Sequence, residues 1–84
     1  MTTTLTDDQV LDEIRGQLAA MKVPGAEEAT AEQQWSDLDV DSLELVELVK
    51  ALEDRNGIQI ADEELKPIKC VGDAVALVQR LVSA

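Results

Sequence analysis

The sequence predicts an all-α fold, a small four-helix bundle of three longer helices and one short one, with a long loop between helices one and two. Three observations carry this. Apolar residues recur at three- and four-residue spacing in three separate stretches. Helix-start patterns stand at the head of the first two stretches. The single strand-like alternation, Ile58-Gln59-Ile60, is three residues long and has no partner strand to pair with.

The first helix is expected from about Asp7 to Ala20 or Met21. Thr6-Asp7-Asp8-Gln9 reads as a capping box with acidic residues in the first turn, where the helix dipole favours them. Val10, Ile14, Leu18 and Met21 form the inward stripe, widened by Leu11. Gly16 either weakens this helix by about 1 kcal/mol relative to Ala or marks a close approach of another helix. Val23-Pro24-Gly25 ends it.

From Pro24 to Leu38 the chain reads as a long polar loop, with a short helical turn allowed within Glu27–Gln34. Loops of this length in small domains are functional or anchored. Trp35 and Leu38 are the natural anchors.

Helix two starts with Asp41 as N-cap or Ser42 as first residue, Glu44 reaching back as in a capping box. Leu45, Leu48, Val49 and Leu52 make its inward stripe. Leu43, Val46 and Lys50, flanked by Glu44 and Glu47, either widen that stripe or form a mixed apolar–anionic surface. Periodicity does not choose between the two. Asn56-Gly57 closes the helix, Gly57 supplying a left-handed residue. Ile58-Gln59-Ile60 then serves as an extended link whose isoleucines plug the core. A short third helix in Ala61–Lys66 stops at Pro67. The last helix runs from about Val71 or Gly72 to Val82. Val71, Ala74, Val75, Val78 and Leu81 are its buried stripe, with Leu77 and Val82 at the margins.

Composition narrows the function. Eighty-four residues make one domain (1–84), too small to enclose a deep catalytic cleft. A hydrophobic fraction of 45% argues for a folded chain, though the core has one Trp and no Phe or Tyr. The formal net charge of −11 argues against nucleic acid or an anionic membrane as partner. Ten acidic residues and two basic ones fall between Ser36 and Glu64, whereas Lys66, Lys69 and Arg80 stand against Asp73 alone after Leu65. That anionic concentration serves either solubility or docking of basic partner proteins. The start, Met-Thr-Thr-Thr-Leu-Thr, has neither the basic nor the apolar region of a leader, and no apolar run has membrane-spanning length. The cytoplasm is the expected compartment.

Metal and catalytic chemistries fare poorly. Asp37-Leu38-Asp39-Val40-Asp41 imitates the opening of a calcium loop, but the required Gly and bidentate Glu positions hold Ser42 and Leu48. No metal site is expected, since one Cys and no His leave zinc and redox metals without ligands. Cys70 is a small core or helix-end residue. Ser42 lacks a base to take its proton, because the chain contains no histidine. The chain is not expected to be an enzyme; its serine is better read as a group that another enzyme modifies.

Leu38-Asp39-Val40-Asp41-Ser42-Leu43, followed by Glu44-Leu45-Val46-Glu47-Leu48-Val49-Lys50-Ala51-Leu52-Glu53, resembles the attachment motif and second helix of acyl carrier proteins. Ile58–Glu64 resembles their link into the short third helix, and the likeness extends firmly from about Ser36 to Val78. The resemblance implies that a phosphopantetheinyl transferase, using coenzyme A and a divalent cation, esterifies Ser42 with a 4′-phosphopantetheine arm whose thiol carries acyl groups as thioesters. It implies that Asp41 helps recognition by the transferase. It also implies that Leu43, Glu44, Val46 and Glu47 dock the transferase, ketosynthase, acyltransferase and other enzymes through their basic patches, with the carrier acting as a monomer.

Three positions depart from the family pattern. Asp39 stands where Gly is frequent, Lys50 where an apolar residue is frequent, and Asn56 where an aromatic core residue is common. The loop before Ser42, the choice of partner and the interior packing are accordingly expected to differ. These departures favour a specialised pathway carrier, such as one for a polyketide, over a housekeeping fatty-acid carrier. Two alternatives stand beside it. One is an aminoacyl or peptidyl carrier of a non-ribosomal pathway, whose usual glycines before the motif serine are missing here. The other is a carrier-like interaction module that is never modified.

Overall fold

Capping chemistry fixes where the first two long helices begin. In the computed structural model, which describes residues 6–83, α1 spans Asp7–Ala20, α2 Ser42–Asn56, α3 Asp62–Leu65 and α4 Val71–Ser83. The segment 1–5, read above for leader character, lies outside the described residues. Thr6 caps α1 through a full capping box. Its hydroxyl accepts the Gln9 N–H at 3.1 Å, and the Gln9 side chain accepts the Thr6 N–H at 2.8 Å. Val10, Ile14 and Leu18 are completely buried, and Leu11 and Met21 pack half-buried against the same core. Gly16 is exposed and a Cβ built there meets nothing, so no helix approaches it and only its lower helix propensity remains. Lys22, at φ 63°, turns the chain out of the helix, while the Val23 N–H bonds back to Leu18 O at 3.0 Å.

The segment between α1 and α2 is more structured than its polar composition suggests. The turn expected within Glu27–Gln34 forms earlier, as a single 3₁₀ turn at Ala26–Glu28. The cause is Gly25, whose φ of 75° redirects the chain and whose carbonyl accepts the Glu28 N–H at 3.1 Å. Ala26 and Ala29 are buried, and the Arg15 Nε–H donates to Ala29 O at 2.8 Å, tying the loop to α1. A second 3₁₀ turn, Trp35–Leu38, buries both expected anchors. The loop is also fastened to the start of α4. Trp35 N–H donates to Lys69 O at 3.2 Å, Val71 N–H to Gln33 O at 2.9 Å, and Gly72 N–H to Ala31 O at 2.8 Å. A Cβ on Gly72 would stand 3.0 Å from Ala31 O, so this close approach favours a glycine.

Two apolar clusters hold the bundle. The larger joins α1, the loop anchors, Leu48 and Leu52 of α2, and Val71, Ala74, Val75 and Val78 of α4. The smaller is built on Val49, Ile60 and Leu77, with Ile58, Leu65, Ile68 and Leu81 packed against it. Each fully buried Leu or Ile stabilises by about 1.5–3 kcal/mol relative to exposure. Leu77, expected at the margin of its helix, is buried because this second cluster, between α2, the link and α3, closes over it. Ile58-Gln59-Ile60 forms no strand and contributes its isoleucines to the core as expected. Asn56, in place of an aromatic, is half-buried. Its amide donates to Glu13 Oε1 and to Leu52 O, both at 3.0 Å, so a polar clasp joins α1 to the end of α2.

Candidate functional site: the head of the second helix

Ser42 is the first residue of α2 and is exposed. Asp41 is its N-cap in extended conformation; one carboxylate oxygen accepts the Glu44 N–H at 2.8 Å, and the Glu44 carboxylate accepts the Asp41 N–H at 3.2 Å. The Leu45 N–H goes to Asp41 O at 2.9 Å. A helix leaves its first N–H groups without intrahelical acceptors. Once Glu44 and Leu45 are accounted for, those of Ser42 and Leu43 remain without an acceptor among the described residues, at the positive end of the helix dipole.

The loop before the site is held from below. Val40 and Leu38 are buried, the Val40 N–H donates to Trp35 O at 2.9 Å, and the Asp39 N–H donates to Ser36 O at 3.2 Å. Asp39 itself sits at φ 57°, the left-handed region that glycine enters freely. The aspartate thus takes the backbone conformation that a glycine in its place would favour, at the cost of local strain. Sequence reasoning missed the anchoring role of Val40, although its position as the one apolar residue between Asp39 and Asp41 was a usable signal.

The two readings of Leu43 and Val46 separate cleanly. Leu43 is 76% exposed and Val46 45% exposed, the two large exposed hydrophobics among the described residues. They do not widen the core stripe. Leu48, Val49 and Leu52 are buried and Leu45 is half-buried, on the inward side. Glu47 and Lys50 are exposed, and Glu44 is half-buried with its carboxylate engaged in the cap. The structure therefore brings Asp41, Ser42, Leu43, Val46 and Glu47 onto one accessible surface, with Glu44 at its edge. The Asp-x-Asp-x-Asp run is put to a different use from a calcium loop. Asp37 accepts the Gln34 N–H at 3.0 Å and Asp41 caps α2, so these two carboxylates serve the backbone.

These features define a small helical domain with an accessible hydroxyl at a helix head, beside an apolar and acidic face. The family model described as the phosphopantetheine attachment site matches residues 8–78. A curated relative from Thermobifida fusca, an acyl carrier protein, is 38% identical over 86% of this chain and 84% of its own length. An acyl carrier protein from Rhodococcus erythropolis is likewise 38% identical, over 90% of this chain and 85% of its own. A meromycolate extension acyl carrier protein from Mycolicibacterium aurum is 46% identical over 64% of this chain and 57% of its own. In fold the chain matches the solution structure of a hexanoyl ACP from the actinorhodin polyketide synthase of Streptomyces coelicolor. That match has a TM-score of 0.78 at 22% identity and covers 99% of this chain and 96% of the other.

The chain belongs to the acyl carrier protein family, whose covalent group is 4′-phosphopantetheine. Members of the family carry that group among biosynthetic enzymes and are carriers in their own right, not catalysts. No described helix is long and apolar enough to cross a membrane. The residues at the head of α2 fit a phosphodiester: Ser42 is exposed, two backbone N–H groups have no acceptor among the described residues, and the carboxylate of the adjacent Asp41 is hydrogen-bonded to the Glu44 N–H.

Proposed function

We propose that the Ser42 hydroxyl is the attachment point of the phosphopantetheine arm. In this reading the chain is a single-domain, monomeric, cytoplasmic acyl carrier that shuttles intermediates between enzymes of polyketide or fatty-acid biosynthesis. The observation that carries it is the placement of Ser42, exposed on the first residue of α2 between the capping Asp41 and the three-quarters-exposed Leu43. When attached, the group supplies a terminal thiol on which acyl groups are carried as thioesters.

The chain's own residues do the rest. Asp41 and Glu44 lock the start of α2, so the hydroxyl is offered at a fixed place. The N–H groups of Ser42 and Leu43 favour the added phosphate charge. Leu43 and Val46 give partners an apolar contact, while Asp41, Glu44 and Glu47 present anions to basic patches on the transferase, ketosynthase and acyltransferase. Docking through so small a surface is fast and reversible, as a shuttle requires. Asp39, Lys50 and Asn56, each a departure from the common pattern, support a specialised pathway such as a polyketide one.

Incubation with coenzyme A, magnesium and a broad-specificity transferase should add one phosphopantetheine, located on Ser42 by tandem mass spectrometry. An unchanged intact mass would leave only an unmodified interaction module, and an adduct elsewhere would displace Ser42. Loading should succeed with malonyl or acyl donors. Preferential loading by amino acids would overturn the acyl assignment.

A further inference from the structure

Among the described residues, helix α4 presents a second unpartnered face. Gly72, Ala76 and Arg80 fall at four-residue spacing along it, and Ala76 is exposed. Ala76 is a low ridge between two grooves. One, of about 550 Å³, has Ile68 and Leu77 in its lining, and the other, of about 500 Å³, has Leu11 and Val75. No residue of α2 lines either groove, so this surface is separate from the one around Ser42. The linings also carry five acidic side chains, Glu63, Glu64 and Asp73 in one groove and Asp7 and Asp8 in the other, against one basic residue. That residue, Arg80, is already paired with Glu64 at 2.8 Å.

We propose that this α4 face is a second docking surface, and that its occupant is a basic amphipathic helix of a partner protein. The small side chain of Ala76 lets a helix backbone come close. Apolar side chains three or four residues apart on such a helix lie about 5–6 Å from each other and straddle the ridge, one in each groove. The acidic side chains then meet lysines or arginines on the helix flanks. A second copy of this chain is the wrong occupant, because a net charge of −11 would bring like charge against the acidic rim. With α4 held by one protein, the head of α2 stays free for another.

The test titrates ¹⁵N-labelled unmodified chain with a synthetic helical peptide that has leucines on one face and lysines on its flanks. The proposal expects saturable shifts at Leu11, Ala76 and Leu77. It expects at least tenfold weaker binding in Ala76→Arg with helicity retained by circular dichroism, and no binding by the same peptide with serines for leucines. Four results would overturn it: shifts confined to Leu43 and Val46; non-saturating shifts that vanish at high salt; concentration-dependent self-association; or binding seen only when residues 1–5 are removed, which would give the groove to that segment. None of these readouts depends on whether Ser42 is modified.

Discussion

Replacing Asn56 by Asp probes the polar clasp between α1 and the end of α2. The native amide donates two hydrogen bonds of 3.0 Å, to the Glu13 carboxylate and to the Leu52 carbonyl. Losing them costs about 2 kcal/mol, within the range for a bond to a charged group; this is the whole effect expected of Asn56→Ala. A carboxylate there also faces Glu13. Two unit charges about 4 Å apart repel by about 4 kcal/mol at an effective dielectric of 20. Both residues are only half-buried, so rotation toward water relieves most of this and leaves about 1 kcal/mol. Asn56→Asp should therefore cost about 3 kcal/mol, a large part of the roughly 4–12 kcal/mol expected of a domain this size.

Urea unfolding followed by far-ultraviolet circular dichroism measures both variants. Glu13 raises the folded-state pKa of the introduced carboxyl above its unfolded value. The extra loss relative to Asn56→Ala is thus present at neutral pH and fades as the pH falls below the unfolded carboxyl pKa of about 4. Adding Glu13→Gln should remove the same increment. Equal stabilities for the Asp and Ala variants at every pH, or no relief from Glu13→Gln, would refute the reasoning.

Other expected outcomes follow from single residues. Ser42→Ala should give no mass shift with coenzyme A and transferase while leaving the circular dichroism spectrum unchanged, since one exposed hydroxyl is lost. Glu47→Lys should slow turnover by partner enzymes and flatten its dependence on ionic strength, measured as initial rates across a salt series. Asp39→Gly should stabilise by about 0.5–1 kcal/mol in urea by relieving a left-handed backbone, with attachment unaffected. Asp73 gives a pH signature. The Lys69 N–H, donating to it at 3.0 Å, holds its carboxyl below the ordinary 3.8; partial burial opposes this, and the Cys70 side chain and N–H assist. A depressed folded value stabilises above the unfolded pKa and is lost as pH falls through the folded one, so the penalty of Asp73→Asn should be full at pH 7 and disappear in acid.

The helices were legible because local chemistry and periodicity agreed. Thr6 with Gln9, and Asp41 with Glu44, announce two helix starts, and the stripes that follow them are the buried ones. Leu38–Glu53 was legible in another way, through the resemblance of its residues to the attachment motif and second helix of acyl carrier proteins. What the sequence hid depends on long-range contact. Leu77 is buried because Val49 of α2, α3 and the Ile58–Ile60 link close over it. The loop looked polar because its ties to α4 are made by backbone groups, which carry no side-chain signature. The roles of Leu43 and Val46 hinged on how far the core stripe extends around α2, which periodicity alone does not fix.

Trp35 is the chain's one aromatic residue, enclosed seven positions before Ser42, and its indole N–H is buried without an acceptor among the described residues. All near-ultraviolet emission from this protein therefore originates at one buried spot in the segment leading to Ser42. A red shift in that light would report loosening of this segment directly, with no dye or engineered label.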